Sequence, residues 1–297
     1  MGGGSGRTGV EIIGAPAASM LVVLGLVCQN LGAAYAKTLF PAVGALGATA
    51  LRVTLAALLL SALTRPWRGG LAGARWRAVL PYGLVLGLMN LLIYEAFARI
   101  PIGLAVALEL VGPLAVVLLG SARLQDLLFA GLAIAGLALL LPIFSVEDLD
   151  LAGVGFALGA AGAWALYILL GARLAGRAPS GQTVALGLLA ATLVTAPLGL
   201  YVAGPTLFRP EILAAGLALA VLSSAAPYTL EMMALRRLPP RAFGLLVCSA
   251  PALATVIGWL ALGERLEPLH AVAILLITIA CVGGALRARA PPGVSAP

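Results

Sequence analysis

Ten apolar runs, each about twenty residues long, take up nearly all of this chain: roughly 16–36, 42–63, 78–98, 101–120, 126–144, 151–172, 181–202, 211–235, 240–262 and 268–286. An α-helix of about 20 apolar residues spans the ~30 Å hydrocarbon core of a bilayer. Helix breakers punctuate most of the joins: Pro41, Pro66, Pro101, Pro179, Pro205, Pro239, Pro240 and Pro268. Residues are 62% hydrophobic and only 10% charged, where a soluble domain carries about 25% charge. That is too little polar surface to cover a water-soluble globule, so lipid must solvate most of the chain. A disordered protein, a disulfide scaffold and an ordinary cytosolic enzyme are excluded. The sequence predicts an all-α membrane protein of ten transmembrane helices.

Charge placement orients the spans. With the N-terminus in the cytoplasm, thirteen basic residues fall on the cytoplasmic side: Arg7; Arg65, Arg68, Arg75 and Arg77; Arg123; Arg173 and Arg177; Arg236, Arg237 and Arg241; Arg287 and Arg289. Four fall opposite, namely Lys37, Arg99, Arg209 and Arg265, and Arg52 lies inside a span. This asymmetry puts both termini inside, as short tails 1–15 and 288–297. The acidic segment Glu147–Asp150 then faces out. Met1–Gly14 holds one Arg and many glycines, and the first span is too long for a secretory h-region, so no cleavable signal is expected. The net charge of +7 is spread between apolar runs rather than clustered with aromatics, which argues against nucleic acid. Cys28, Cys248 and Cys281 each sit in an apolar run, and the one histidine, His270, cannot build a metal cluster or a catalytic triad alone. No metal, cofactor or catalytic residue is expected.

The chain repeats itself. At a shift of 138 residues Arg99 meets Arg237, Pro101 meets Pro239, Pro113 meets Pro251, Ala96 meets Ala234 and Gly120 meets Gly258. Two matched prolines and an arginine at one shift divide the chain into spans 1–5 (16–145) and 6–10 (151–287). Five is odd, so the second half must sit upside down relative to the first. Inverted repeats of this kind build secondary transporters, with the site near the membrane midplane between the halves.

The stretches from Tyr94 to Pro113 and from Ala234 to Pro251, leading into Leu262-Gly-Glu-Arg-Leu266, resemble the paired EamA domains of the drug/metabolite transporter superfamily. The first half departs from that closing motif, with Gly120-Ser-Ala-Arg-Leu124 in its place. That departure, the segment Ala98–Val116 and the segment Ser223–Glu231 are similar to the branch of threonine/homoserine exporters and related amino-acid exporters. The resemblance implies ten helices, a central cavity and alternating access. It also admits drugs, nucleosides, sugars and other metabolites as substrates.

Polar residues in the apolar zone need a reason, because an unpaired charge there is costly. Arg52 in the second span and Glu109 in the fourth lie at similar depth, which predicts a structural ion pair or a contact to substrate. Glu95 precedes Arg99 by four residues, a local helix pair. Glu231 is near Arg236 and Arg237, which predicts a structural or gating pair at the inner mouth. Stripes at helical spacing mark the cavity wall: Gln29 and Asn30; Asn90 and Tyr94; Trp164, Tyr167 and Gly171; Ser224, Tyr228 and Glu231. From these, Asn30, Asn90, Tyr94, Glu109, Trp164, Ser224 and Tyr228 are the expected substrate-binding residues. Amides, hydroxyls and a carboxylate offer donors and acceptors to a zwitterion, and the aromatics accommodate an apolar side chain. Pro113 and Pro251, at matched positions, are expected hinges. Gly155, Gly159 and Ala163 are the expected close-packing face of the sixth span.

These readings converge on a secondary transporter that exports amino acids (threonine- or homoserine-like, or aromatic) or related metabolites across a bacterial inner membrane. The alternative is a drug, nucleoside or sugar carrier. The expected partners are a small-molecule substrate and the bilayer, with a monomer as one oligomeric state the sequence leaves open. No nucleotide-binding motif is present to power transport, so a gradient or downhill flow must drive it. An intramembrane enzyme would need a nucleophile, base or metal set, and a channel a selectivity filter; neither is legible here.

Overall fold

A computed structural model describes residues 15–69, 74–100, 102–120, 124–140, 150–250, 252–253 and 268–286. Pro101, Arg123, Glu147–Leu149, Pro251, the Leu262–Leu266 motif and the tails 1–14 and 287–297 lie outside the described residues. Among those described, regular structure is entirely helical. The helices are α1 (Ala15–Thr64), α2 (Ala74–Phe97), α3 (Ile102–Glu109), α4 (Val111–Gly120), α5 (Leu124–Leu140), α6 (Leu151–Leu174), α7 (Ser180–Ala203), α8 (Pro210–Ala220), α9 (Ala226–Leu235), α10 (Pro240–Val247) and α11 (Pro268–Leu286). Short 3-10 turns cover Pro66–Gly69 and Gly204–Phe208, and a π-turn, Val221–Ala225, joins α8 to α9.

Helix α1 is 50 residues long, about twice what one crossing needs. The expected break at Pro41 is not where the chain turns. Pro41 is carried inside the helix, and the turn comes at Gly44, with φ 68° and ψ 173°. That backbone region is essentially open to glycine alone. A proline only removes a donor and crowds the turn before it, so a helix can continue through it with a bend. At the start of α6, Asp150 accepts from the main-chain N–H of Ala152 at 2.8 Å and of Gly153 at 3.3 Å, capping the helix.

Among the described residues, five helical stretches are long and apolar enough to cross a membrane: Pro16–Thr64, Trp76–Phe97, Leu151–Leu174, Ser180–Phe208 and Pro210–Leu235. Large apolar side chains stand bare on their outer faces, among them Met20, Leu63, Leu158, Leu166 and Leu193. Water does not tolerate such a continuous apolar exterior on a soluble monomer. The chain is a multi-pass membrane protein.

Helix bounds fall in the same register as the sequence repeat. Ile102–Glu109 (α3) and Pro240–Val247 (α10) start and end 138 residues apart, as do the last residues of α2 and α9, Phe97 and Leu235. Both α3 and α10 stop one turn before the position of a matched proline.

Between lipid-solvated helices there is no hydrophobic drive to associate, so close van der Waals approach must hold them. Small residues permit it. A Cβ on Gly83 of α2 would come 2.3 Å from the Gly187 carbonyl oxygen and 2.5 Å from Ala190 Cβ on α7. On α6 the buried small residues are Gly153, Ala157, Ala160 and Ala161, and Ala163 is buried with them. The expected face is corrected at Gly155, which is exposed and on which a Cβ meets nothing within 4 Å. Gly159 is exposed too, but a Cβ there would lie 3.3 Å from Leu92 of α2, so the stripe packs at Gly159 and Ala163 and not at Gly155. Gly83→Ala should therefore lower stability by about 1–3 kcal/mol through overpacking, while Gly155→Ala should be neutral or stabilising by up to about 1 kcal/mol. Thermal unfolding in detergent checks both; equal shifts would refute this packing.

Candidate functional site

A cavity of about 90 Å³ lies among the helices and is lined from nearly all of the elements around it. Helix α1 contributes Gln29, Asn30 and Ala33 before Gly44 and Arg52 after it. Helix α2 contributes Met89, Asn90, Ile93, Tyr94 and Phe97; α3 contributes Val106 and Glu109; α6 contributes Trp164. The π-turn adds Ser223, α9 adds Tyr228 and Glu231, and Ala250 closes the wall. A single water needs about 10–15 Å³ by this measure, so the cavity has room for several waters or one small solute.

Arg52, only 3% exposed, organises the site. Its Nη1 donates to the Ser223 carbonyl at 2.9 Å and to Ser224 Oγ at 3.0 Å, and its Nη2 donates to Asn90 Oδ1. The guanidinium carbon lies 4.4 Å from the centre of the Tyr94 ring, a cation–π contact. The local chain is shaped for this. Pro227 has no N–H to close the helical bond onto the Ser223 carbonyl, which leaves that oxygen for Arg52.

Asn90 is spent on structure. Its Oδ1 also accepts from Tyr228 Oη at 2.8 Å, and its Nδ2 donates to the Leu86 carbonyl at 2.6 Å. Asn90 and Tyr228 are 138 residues apart, the repeat shift. The second buried acid is built the same way. Glu231, 1% exposed, accepts from Gln29 Nε2 at 2.7 Å and from Tyr167 Oη at 2.8 Å, one donor on each carboxylate oxygen. Gln29 and Tyr167 are again 138 apart. Tyr167 in turn stacks on Tyr82, ring centres 5.3 Å apart, and tilts against Tyr228 at 5.9 Å.

Of the seven residues expected to bind substrate, Asn30, Asn90, Tyr94, Glu109, Trp164 and Tyr228 line this one cavity. Asn30 also donates to the Leu26 carbonyl at 2.9 Å. Ser224 does not line it; fully buried, it sits behind Arg52, and Ser223 takes the lining position. The π-turn is the reason: it carries one extra residue per turn, so counting back four from Tyr228 lands one place off. The proline at 227, within an apolar run, was the available signal that helical counting fails there.

Two expected charge pairs are corrected. Arg52 and Glu109 face the same cavity and attract one another across it, but no ion pair within 4 Å joins them; the hydrogen bonds of Arg52 go to neutral acceptors. Glu231 is not paired with Arg236 or Arg237; it points inward to Gln29 and Tyr167. Depth in a span and closeness in sequence say nothing of which way a side chain points about the helix axis. Arg99 and Glu95 do form the expected i,i+4 pair, and the Arg99 guanidinium also lies 4.7 Å over the Phe156 ring. Ser223 is the polar lining residue that the sequence reading did not name; Gln29 and Glu231 stand on its cavity-wall stripes, and Arg52 is the residue it read as an ion pair or a contact to substrate. Pro113 is buried in α4, one turn beyond Glu109, and α10 packs directly on it: a Cβ on Gly244 would lie 2.8 Å from the Pro113 carbonyl oxygen. Pro251 lies outside the described residues. Among those described, no group of three or more His, Cys, Asp or Glu could hold a metal ion.

Asn90→Leu removes an acceptor from a buried guanidinium and from a buried hydroxyl at once. It should destabilise the protein by about 3–5 kcal/mol, the cost of leaving a buried charge short of a partner. Tyr228→Phe removes the bond to Asn90 and a polar neighbour of Arg52 but leaves the amide acceptor in place, and should cost less, about 1–3 kcal/mol. Thermal melts of the two variants in one detergent measure the difference; equal small losses would mean that Asn90 does not hold Arg52.

Residues 151–284 match the EamA-like transporter family. Over 264 residues the chain is 47% identical to the threonine/homoserine exporter RhtA of Salmonella typhimurium strain LT2, with 89% of each chain covered. It is also 47% identical over 259 residues to the threonine/homoserine exporter RhtA of Escherichia coli strain K12, covering 87% of this chain and 88% of that one. A solved crystal structure at 22% identity shares the fold, with a TM-score of 0.73 over 92% of this chain and 98% of the other. The chain is a transporter rather than an enzyme, and it belongs to the EamA-like transporter family.

Proposed function

We propose that this protein exports short amino acids, threonine and homoserine among them, from the cytoplasm across a bacterial inner membrane by alternating access. The observation that carries the reading is the cavity: about 90 Å³, closed in by apolar helices, and carrying both signs of charge in Arg52, Glu109 and Glu231. A drug-sized ligand takes a pocket of about 300–1,000 Å³. The small volume favours an amino acid over the drug, nucleoside and sugar carriers of the same superfamily. Relatives named as threonine/homoserine exporters at 47% identity support the same substrate class. In this reading Asn30, Tyr94, Glu109, Trp164 and Tyr228 meet the substrate.

The mechanism we infer uses ten spans arranged as two inverted five-helix repeats, 16–145 and 151–287, with both termini cytoplasmic. Its supports are the 138-residue shift, the matching bounds of α3 and α10, and the loop charges. Hydrogen bonds between or onto equivalent residues, Asn90 with Tyr228 and Gln29 and Tyr167 with Glu231, are what a pseudo-twofold axis through the cavity would produce. Pro113 and Pro251 serve as the hinges of the two halves, since Pro113 leaves the Glu109 carbonyl without its helical donor beside the cavity and Pro251 holds the matched position in the sequence.

Counterflow in proteoliposomes tests the function. Vesicles loaded with unlabelled threonine or homoserine should accumulate the labelled amino acid transiently from outside. In the same vesicles, Pro113→Ala and Pro251→Ala should bias cysteine accessibility at the two mouths in opposite directions. No counterflow with any amino acid would contradict the proposed substrate class, and unchanged accessibility in both variants would leave the prolines as fixed kinks.

A further inference from the structure

The polar groups around the cavity differ in what they have left to give, and that difference picks out a receptor for the two ends of a zwitterion. Arg52 has five N–H donors, and its Nη1 and Nη2 make three bonds to neutral acceptors. Its Nε is buried without a hydrogen-bond partner, and among the described residues no carboxylate lies within 4 Å of the guanidinium. A guanidinium this deep has its position fixed by neutral groups, with no anion in direct contact among the described residues. Glu231 is the opposite case: each of its oxygens already accepts from a neutral donor. Glu109 is the acid with capacity to spare. It lines the cavity at 8% exposed, and among the described residues it has neither a hydrogen bond nor an ion pair. Pro113 offers no N–H to its main-chain carbonyl, although helical bonds run on either side, from Leu110 to the Val106 carbonyl and from Leu114 to the Leu110 carbonyl. Glu109 thus keeps acceptor capacity at the cavity, facing Arg52 without touching it.

We propose that Arg52 receives the α-carboxylate and Glu109 the α-ammonium of the transported amino acid, with Glu231 serving to position Gln29 and Tyr167 rather than to bind substrate. This assignment rests on the proposed function and narrows it. The ligand must carry both a free carboxylate and a free ammonium, held on one carbon or close to it, and its side chain must be short. Arg52 suits the carboxylate because its planar fork is already oriented by Ser223, Ser224 and Asn90, so little further ordering is needed on binding. A substrate that brings both charges supplies each pole with a partner of opposite sign at hydrogen-bond distance.

Three competitors separate the poles: threonine, threoninol, which lacks the carboxylate, and 2,3-dihydroxybutyrate, which lacks the ammonium. Each is measured for inhibition of labelled-threonine counterflow by the purified protein in vesicles. Wild type should prefer threonine at least tenfold over either analogue. Glu109→Gln should erase the preference over the dihydroxy acid while keeping the preference over threoninol. Arg52→Lys, which keeps a cation in the core and so guards against misfolding, should cut the preference over threoninol about tenfold while keeping that over the dihydroxy acid. Glu231→Gln should keep both ratios, whatever it does to the rate.

If wild type exchanges threonine yet treats all three competitors alike, the charge receptor is refuted and the amino-acid reading stands. If Glu231→Gln and not Glu109→Gln erases the ammonium preference, the assignment of poles is wrong. Absence of threonine counterflow in wild type would instead overturn the function on which the assignment rests.

Discussion

A buried guanidinium held by neutral groups, with no carboxylate within 4 Å among the described residues, is the constraint around which this bundle is arranged. Removing a cation from water costs several kcal/mol even after relaxation, and the surroundings must return most of that. Here the return comes from two separate elements: a backbone carbonyl and a hydroxyl at the π-turn, and an amide oxygen and the face of Tyr94 on α2. Each depends on a local irregularity or commitment. The Ser223 carbonyl is available because Pro227 cannot close a helical bond on it. The Asn90 amide is oriented by its own bond to the Leu86 carbonyl and by Tyr228. Displacing any one of these elements leaves a charge without solvation, so α1, α2 and α9 are tied in register through Arg52.

The same ties cross between the two halves of the chain. Arg52 and Asn90 belong to the first half, while Ser223, Ser224 and Tyr228 belong to the second. Glu231 of the second half accepts from Gln29 of the first and Tyr167 of its own. A polar network that bridges two otherwise apolar bodies both aligns them and sets what a transition between arrangements must break. Satisfied polar networks inside a low-dielectric environment are high-stakes in this sense, since any rearrangement has to find new partners for every member. A charged substrate that offers partners of its own lowers that cost, which is how occupancy couples to movement in an alternating-access scheme.

Much of this was legible in the residues. The lengths and spacing of apolar runs, with proline at their joins, dictate helices, and lipid as solvent follows from the shortage of charge. The repeat was visible in Arg99, Pro101 and Pro113 against their partners 138 residues on, and helix bounds fall on the same register. Asn90 with Tyr94, and Tyr228, were found by helical spacing because α2 and α9 are regular over those positions. What was not legible required rotation about a helix axis or a local change of pitch. Gly155 has the spacing of a packing face but turns outward. Ser224 misses the cavity wall because the π-turn shifts the count by one. Arg52 and Glu109 have matching depth, which suggested a pair, yet each meets other surroundings. The turn at Gly44 rather than Pro41 reflects backbone freedom that a proline lacks.

The central claim is that the cavity beside Arg52 is where substrate is held. A cryo-EM structure of the protein in nanodiscs at saturating threonine tests it most directly. The account predicts density for one amino acid inside the cavity, its carboxylate within hydrogen-bond distance of Arg52 and its ammonium at the Glu109 end of α3. Threonine density elsewhere among the helices, or an Arg52–Glu109 ion pair closing the cavity against it, would contradict the account.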